Sequence, residues 1–193
     1  ISPSTGTDPF AAFSYRNLGA FRISAWVGSI AVPENPGMEH KYTFYVGARA
    51  GGVWKTVNNG TTFECITDQL GISTVGDIAV APSNPNIVWI GTGEAFSARS
   101  SYYGNGIWKS TDAGKTFKNM GLKDSHHISK VLVHPKNPDI VYVASMGHLF
   151  SNNEERGVFK TTDGGKTWKR VLYIDDATGI IDLVINRTNP EIL

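Results

Sequence analysis

The sequence predicts an all-β chain, a segment of a β-propeller made of four-stranded antiparallel blades. Three observations carry that prediction. A turn, Lys160-Thr-Thr-Asp-Gly-Gly-Lys-Thr-Trp168, recurs as Ser110-Thr-Asp112-Ala-Gly114-Lys-Thr116-Phe117 and, more loosely, as Thr56-Val-Asn58-Asn-Gly60-Thr-Thr62-Phe63. Its acidic or amide residue stands at 58, 112 and 163, spacings of 54 and 51 residues. An independent marker, Asn-Pro at 35–36, 84–85, 137–138 and 189–190, steps by 49, 53 and 52 residues. Between the markers, short strand-like runs return in one order, and a repeat near fifty residues is the signature of propellers and related arrays.

Taken in order, Phe13-Ser-Tyr15-Arg-Asn17-Leu18-Gly19 has the same pattern as Thr116-Phe117-Lys-Asn119-Met120-Gly121. It reads as an outer strand (13–19) that closes some other blade. Each blade then opens on a buried inner strand, a short apolar run. The four runs are 27–32, 75–80, 128–133 and 180–185. The Asn-Pro turn follows, since proline presets φ and cannot donate to a ladder. Second strands are read at Thr43-Phe-Tyr45-Val, Ile87-Val-Trp89-Ile and Ile140-Val-Tyr142-Val, and third strands start at Gly52, Gly106 and Gly157. The repeated turn leads into a fourth strand. The organisation is thus one partial domain over 1–193, with blades at 21–72, 73–122 and 123–175, and the first strand of a further blade at 176–193. One outer strand, three blades and one inner strand leave the ring incomplete, because propellers close with about four to eight blades. The remaining blades are expected from the same parent chain or a partner chain.

Composition narrows the function. With 18 basic and 17 acidic residues the net charge is +1, which argues against nucleic acid as a partner. No apolar run reaches the ~18–20 residues of a membrane span, so no membrane insertion is expected. The first residues lack the basic start and apolar core of a signal peptide, and the chain does not begin with Met. It reads as a processed product or a piece of a longer chain, compatible with export. The lone Cys65 reads as a packed apolar residue.

The turn has a structural logic of its own. Asn58, Asp112 and Asp163 can accept backbone N–H bonds, Gly60, Gly114 and Gly165 can take positive φ, and Phe63, Phe117 and Trp168 can bury an aromatic body. The pattern Ser/Thr-x-Asp-x-Gly-x-Thr-Trp/Phe resembles the Asp-box, or bacterial neuraminidase repeat, from about residue 13 to the end. Runs such as Gly51-Gly-Val-Trp-Lys-Thr56, Ala81-Pro82 through Gly91-Thr-Gly93-Glu94 and Gly121-Leu-Lys-Asp124-Ser are most similar to bacterial sortilin-like proteins. Similar repeats occur in sialidases, xyloglucan-active endoglucanases and photosystem assembly factors, so kinship alone assigns no activity.

The resemblance implies that the boxes join strands three and four at the outer edge, away from the ligand-binding face. Ligand-facing loops then join strands two and three or lead from blade to blade. These carry Arg22, Arg49, Glu94, Phe96, Arg99, Tyr102, Tyr103, His126, His148, Glu154 and Arg156, the binding candidates, with Asp124 and Asp175 beside them. A glycosidase needs two carboxylates about 5–5.5 or 6.5–9.5 Å apart, for which Glu94, Glu154, Asp124 and Asp175 compete. The xyloglucanase-like pattern has an aspartate before the first Gly-Gly, where this chain has Ala50. Sialidase chemistry needs an arginine cluster and a tyrosine nucleophile, but Ser24 follows Phe21-Arg22-Ile23 where that family has proline. His126-His127 with His148 makes a metal site only if the pair sits in an irregular loop, because adjacent strand residues face opposite ways. No metal and no cofactor are expected. The reading is a non-catalytic binding or assembly module for a protein, peptide or glycan. Its alternative is a carbohydrate-active hydrolase with part of its site in other blades.

Overall fold

The computed structural model describes residues 26–97 and 101–193. Three four-stranded antiparallel sheets fill it. The first holds β1 (Val27–Ala31), β2 (Phe44–Ala48), β3 (Gly52–Thr56) and β4 (Glu64–Cys65); the second β5 (Val75–Ala81), β6 (Asn84–Thr92), β7 (Ile107–Ser110) and β8 (Lys118–Asn119). The third holds β9 (Ile128–Val133), β10 (Val141–Ser145), β11 (Gly157–Thr161) and β12 (Lys169–Leu172). Within each sheet every strand pairs with its sequence neighbours. These are three blades of a β-propeller, and they do not close a ring. The second strand of the middle blade is wholly buried from Ile87 to Thr92, because both faces of that blade are covered by neighbours and β-branched residues fill such faces best.

The core lies between the sheets. One cluster joins the second blade to the third through Trp89, Ile107, Ile128, Val131, Val143 and Phe159. Another joins the first to the second through Tyr45, Val53, Val75, Ile78, Val88 and Ile90. Inner strands show what a missing neighbour does. Val75 and Ile78 are 1% and 4% exposed and Ile128 and Val131 are 0% and 2%, whereas the equivalent Val27 and Ile30 of the first blade are 56% and 61%. Covering two such side chains is worth about 1.5–3 kcal/mol each, so among the described residues the first blade leaves an apolar face without a neighbour.

Two polar devices join the blades. Asp77 on β5 accepts from Ser29 Oγ (2.6 Å) on one side and from Val131 N (3.0 Å) on the other, with Lys130 Nζ at 3.7 Å. It ties three inner strands together, a role with no mark in the repeat. Farther out, Lys55 Nζ lies over the Tyr45 ring and donates to Ala113 O (2.7 Å) in the next blade's repeated turn. Lys109 lies over Trp89 and donates to Gly164 O (3.0 Å). Burial lowers the pKa of both lysines. The second and third boxes are therefore gripped by the blade before them.

The boxes are built alike. Ser110 Oγ donates to Asp112 Oδ1 and accepts from Gly114 N (2.8 Å each), while Asp112 accepts from Thr116 N (2.8 Å) and Thr116 Oγ1 (2.6 Å). Thr161, Asp163, Gly165 and Thr167 repeat these bonds; Thr56, Asn58, Gly60 and Thr62 repeat all but the last, which is reversed, Asn58 Nδ2 donating to Thr62 Oγ1 (2.9 Å). Gly60, Gly114 and Gly165 stand at φ 87°, 85° and 93°, where a Cβ would be strained. Burial alone would raise the Asp112 carboxyl, but the bonds from Thr116, Ser110 and Lys115 outweigh it and hold it at about 2. Bonds from Thr167 and Thr161 push Asp163 lower still.

The fold departs from the sequence reading in three places. Phe63, Phe117 and Trp168 are half-buried rather than enclosed, because they sit at the outer edge, where Phe63 meets Phe44 edge-on and Trp168 meets Trp89. Asn84-Pro85 already belongs to β6, and Pro82-Ser83 makes the turn, since Ala81 pairs with Asn84. The inner strand expected at 180–185 is not formed: Ile180 N reaches Ser145 O (3.0 Å), but no second strand is present among the described residues to build a ladder on. The outer strand expected at 13–19 lies outside the described residues. Among those described, no helix is long and apolar enough to cross a membrane.

Candidate functional site

Three connections meet at one end of the second and third blades: the loop from β6 to β7, the loop from β10 to β11, and the passage from β8 to β9. Glycines allow the close approach. Gly93 (φ 88°) passes so near His126 that a Cβ there would stand 1.9 Å from its carbonyl oxygen. Gly104 N donates to the same oxygen (2.7 Å). Thr92 Oγ1 closes the base of the first loop, donating to Gly106 O (2.6 Å) and accepting from Asn105 N (2.8 Å).

Several predicted residues turn out to hold the loops rather than face solvent. Arg49 and Glu94 are 7% and 5% exposed and pair with each other, Nη2 to Oε2 at 3.0 Å. The Arg49 guanidinium is stacked between Trp26 and Phe96 and donates to Phe96 O, and Glu94 Oε1 accepts from Tyr102 N (3.1 Å). The pair joins the first blade to the β6–β7 loop, so neither group is open to a ligand in this conformation. Arg156, 6% exposed, donates to the carbonyls of Met146, His148 and Ser151 and holds the β10–β11 loop in a closed curve. His127 is buried with Nδ1 2.9 Å from Glu94 O, and burial lowers its pKa.

The residues left at the surface form a different set. Phe96, Tyr102 and Tyr103 are 53%, 58% and 69% exposed, joined by Phe150 at 83%. The Tyr103 ring stacks on His126 (centroids 4.8 Å) and His126 on His148 (3.6 Å), so three connections share one pile of rings. His148 Nε2 lies 3.0 Å from Asp124 Oδ1 and its Nδ1 2.9 Å from Ser151 Oγ. Asn153 fastens the two loops together: its Nδ2 donates to Asp124 O (2.7 Å) and its Oδ1 accepts from His148 N (2.9 Å). Burial lowers the His126 pKa, helped by the charge of His148 and opposed by Asp124. Burial would raise the Asp124 carboxyl, but bonds from Asn153 and His148 prevail and it lies lower than usual. Beside this loop is a cleft of about 530 Å³ lined in part by Met146, Phe150, Ser151, Ala177 and Ile181.

The other candidates scatter. Glu154 is exposed, Asp175 caps its own turn through the N–H groups of Ala177 and Thr178, and Arg22 and Arg99 lie outside the described residues. Burial raises the pKa of the neighbouring Glu155 and of Cys65. Sequence reasoning missed Asn153 and Phe150, for which residue type alone is no signal. It named His126 as a binding candidate but set aside a metal role for it, whereas φ 55° at that residue turns it out of the strand.

Comparison with known proteins agrees with this architecture. A probable oligoxyloglucan-reducing end-specific xyloglucanase of Neosartorya fischeri is 28% identical over 109 residues, which is 54% of this chain and 11% of that protein. The GH74 enzyme of Niastella koreensis superposes with a TM-score of 0.58 at 20% identity, over 82% of this chain and 24% of its own. An ancestral GH74 enzyme gives 0.62 at 17% identity, over 86% and 21%. A structure of YCF48 bound to D1 peptide gives 0.53 at 14% identity, over 80% and 43%. At these identities the superpositions establish the fold and nothing more. The chain thus spans about a tenth of the curated relative and less than half of each solved one. The family described as sortilin, neurotensin receptor 3 (Sortilin-Vps10) matches residues 51–179, and the chain belongs to that family.

Proposed function

We propose that this chain is part of a non-catalytic binding or assembly module of an exported Asp-box propeller protein, which takes a protein, peptide or glycan on the face formed by loops 91–105 and 146–156. The carrying observation is the exposed aromatic set: Tyr102, Tyr103 and Phe150 stand out from loops that a buried ion pair, buried Arg156 and glycine contacts hold in place. Aromatic side chains on a firm base suit recognition, since they offer large contact area at little entropic cost. A propeller neighbour bound to a peptide supports the same kind of use. The buried pairing of Glu94 with Arg49 removes one of the carboxylates a hydrolase would need.

A glycosidase remains the second reading, favoured by the likeness to a xyloglucanase, with part of its site in other blades. Screening the full-length protein on peptide and glycan arrays, then assaying hits for turnover, separates the two. Saturable binding without turnover, weakened at least tenfold by joint Tyr102→Ser, Tyr103→Ser and Phe150→Ser replacement, is expected. Hydrolysis of a glycan that Glu154→Gln abolishes would sink the binding-only reading.

A further inference from the structure

We propose that Asp124, His126 and His148 form a binding site for a divalent transition-metal cation, zinc being the best fit. This inference is independent of which ligand the face recognises. Donor atoms from the three side chains all lie within 4.8 Å of one another. Around zinc, N and O donors at about 2.0–2.1 Å stand roughly 3.3 Å apart, so closure needs side-chain adjustment and no refolding. Two imidazoles and a carboxylate are the donor set that zinc and its neighbours prefer over calcium or magnesium.

The supporting shell is already in place. Ser151 Oγ lies 2.9 Å from His148 Nδ1 and orients the ring so that Nε2 faces Asp124. Asn153 Nδ2 bonds both the backbone carbonyl and Oδ2 of Asp124. Such partners aim the ligands of metal sites. His126 holds the unusual backbone that brings it here, φ 55° and ψ −47° just after the short 3-10 turn Lys123–Ser125. For a residue with a Cβ that conformation is unfavourable and marks a constrained site. No hydrogen bond to the His126 ring is found among the described residues; it stacks between Tyr103 and His148 and meets His127 edge-on. Imidazole lone pairs lie in the ring plane, so capture swings His126 out of the stack toward the Asp124–His148 pair. Three protein donors leave a coordination position for a water or a carboxylate from outside.

The alternative is that Asp124 and His148 form a plain ion pair capped by a stacked ring. The test uses the full-length protein, stripped with a chelator and titrated with Zn²⁺ by calorimetry and with Co²⁺ by visible absorption. The site predicts saturable uptake, reduced at least 100-fold by Asp124→Asn, His126→Gln or His148→Gln, about tenfold by Ser151→Ala, and unchanged by the remote His134→Gln. Because a variant can lose its fold, the unaltered protein is also acylated at histidine with and without Zn²⁺. Protection of His126 and His148 but not of His134 is expected. Absence of saturable Zn²⁺ uptake, uptake that survives loss of either histidine, or no protection at both rings would overturn the proposal.

Discussion

Replacing Gly93 by alanine should damage the loop face far more than the same change at Gly71. Both residues have positive φ, 88° and 64°, so both replacements carry the left-handed penalty of about 1 kcal/mol or slightly more. At Gly71 the added Cβ meets nothing within 4 Å, whereas at Gly93 it would stand 1.9 Å from His126 O and 2.9 Å from His127 Cα. The His126 backbone would have to retreat by about 1 Å to reach even a tight contact, which overpacks a closed site at about 1–3 kcal/mol. That shift also breaks the 2.7 Å bond from Gly104 N to His126 O, worth about 1 kcal/mol. The difference between the two variants should therefore be about 2–4 kcal/mol. Urea unfolding of the full-length protein, with m-values compared, measures it. Two variants within about 0.5 kcal/mol of each other would refute the view that Gly93 is the close contact organising this face.

Other expectations follow from the same geometry. Asp112→Ala strips the bonds from Ser110, Lys115 and Thr116 and should cost about 1–2 kcal/mol by denaturant, as for a lost helix cap, whereas Asp112→Asn should cost less because Asn58 serves in the first box. Asp112 has its pKa lowered to about 2 in the folded state, against about 3.9 unfolded. Its stabilisation is therefore complete above pH ~4 and lost as pH falls toward 2; an acid titration should be shallower over that window for Asp112→Asn than for the parent, and identical slopes would contradict the assignment. Arg49→Ala and Glu94→Ala should each cost about 3–5 kcal/mol, since each strands a buried charge, and the double variant should cost clearly less than their sum. Strict additivity in that cycle would mean that the 3.0 Å pair does not act as a unit.

What was legible in the sequence was whatever repeats or acts locally. The box reads directly from Thr161, Asp163, Gly165 and Thr167 because its bonds span two to four residues. The blades read from strand runs at a fixed period. The segment 180–185 has an inner-strand pattern too, yet pattern alone builds no strand without a partner to pair with. The site was legible only as a set of loops. Arg49 and Glu94 have the composition of a binding surface, and only the fold, which brings residues 45 positions apart to 3.0 Å, turns them into a strut. A metal role for His126 was set aside on strand alternation, a rule that lapses once a positive φ and the Lys123–Ser125 turn take the residue out of the strand. Asp77, which ties three blades, is no part of either marker motif and would pass for a surface carboxylate.

The central claim is that this propeller binds through the loop face and uses its Asp-boxes as scaffold. Hydrogen exchange on the full-length protein, with and without a ligand from the array screen, tests it most directly. Within this segment, the account predicts slowed exchange at 91–105, 122–127 and 146–156 and no change at the box turns 110–117 and 161–168. Protection at the boxes with none at the loops would contradict it.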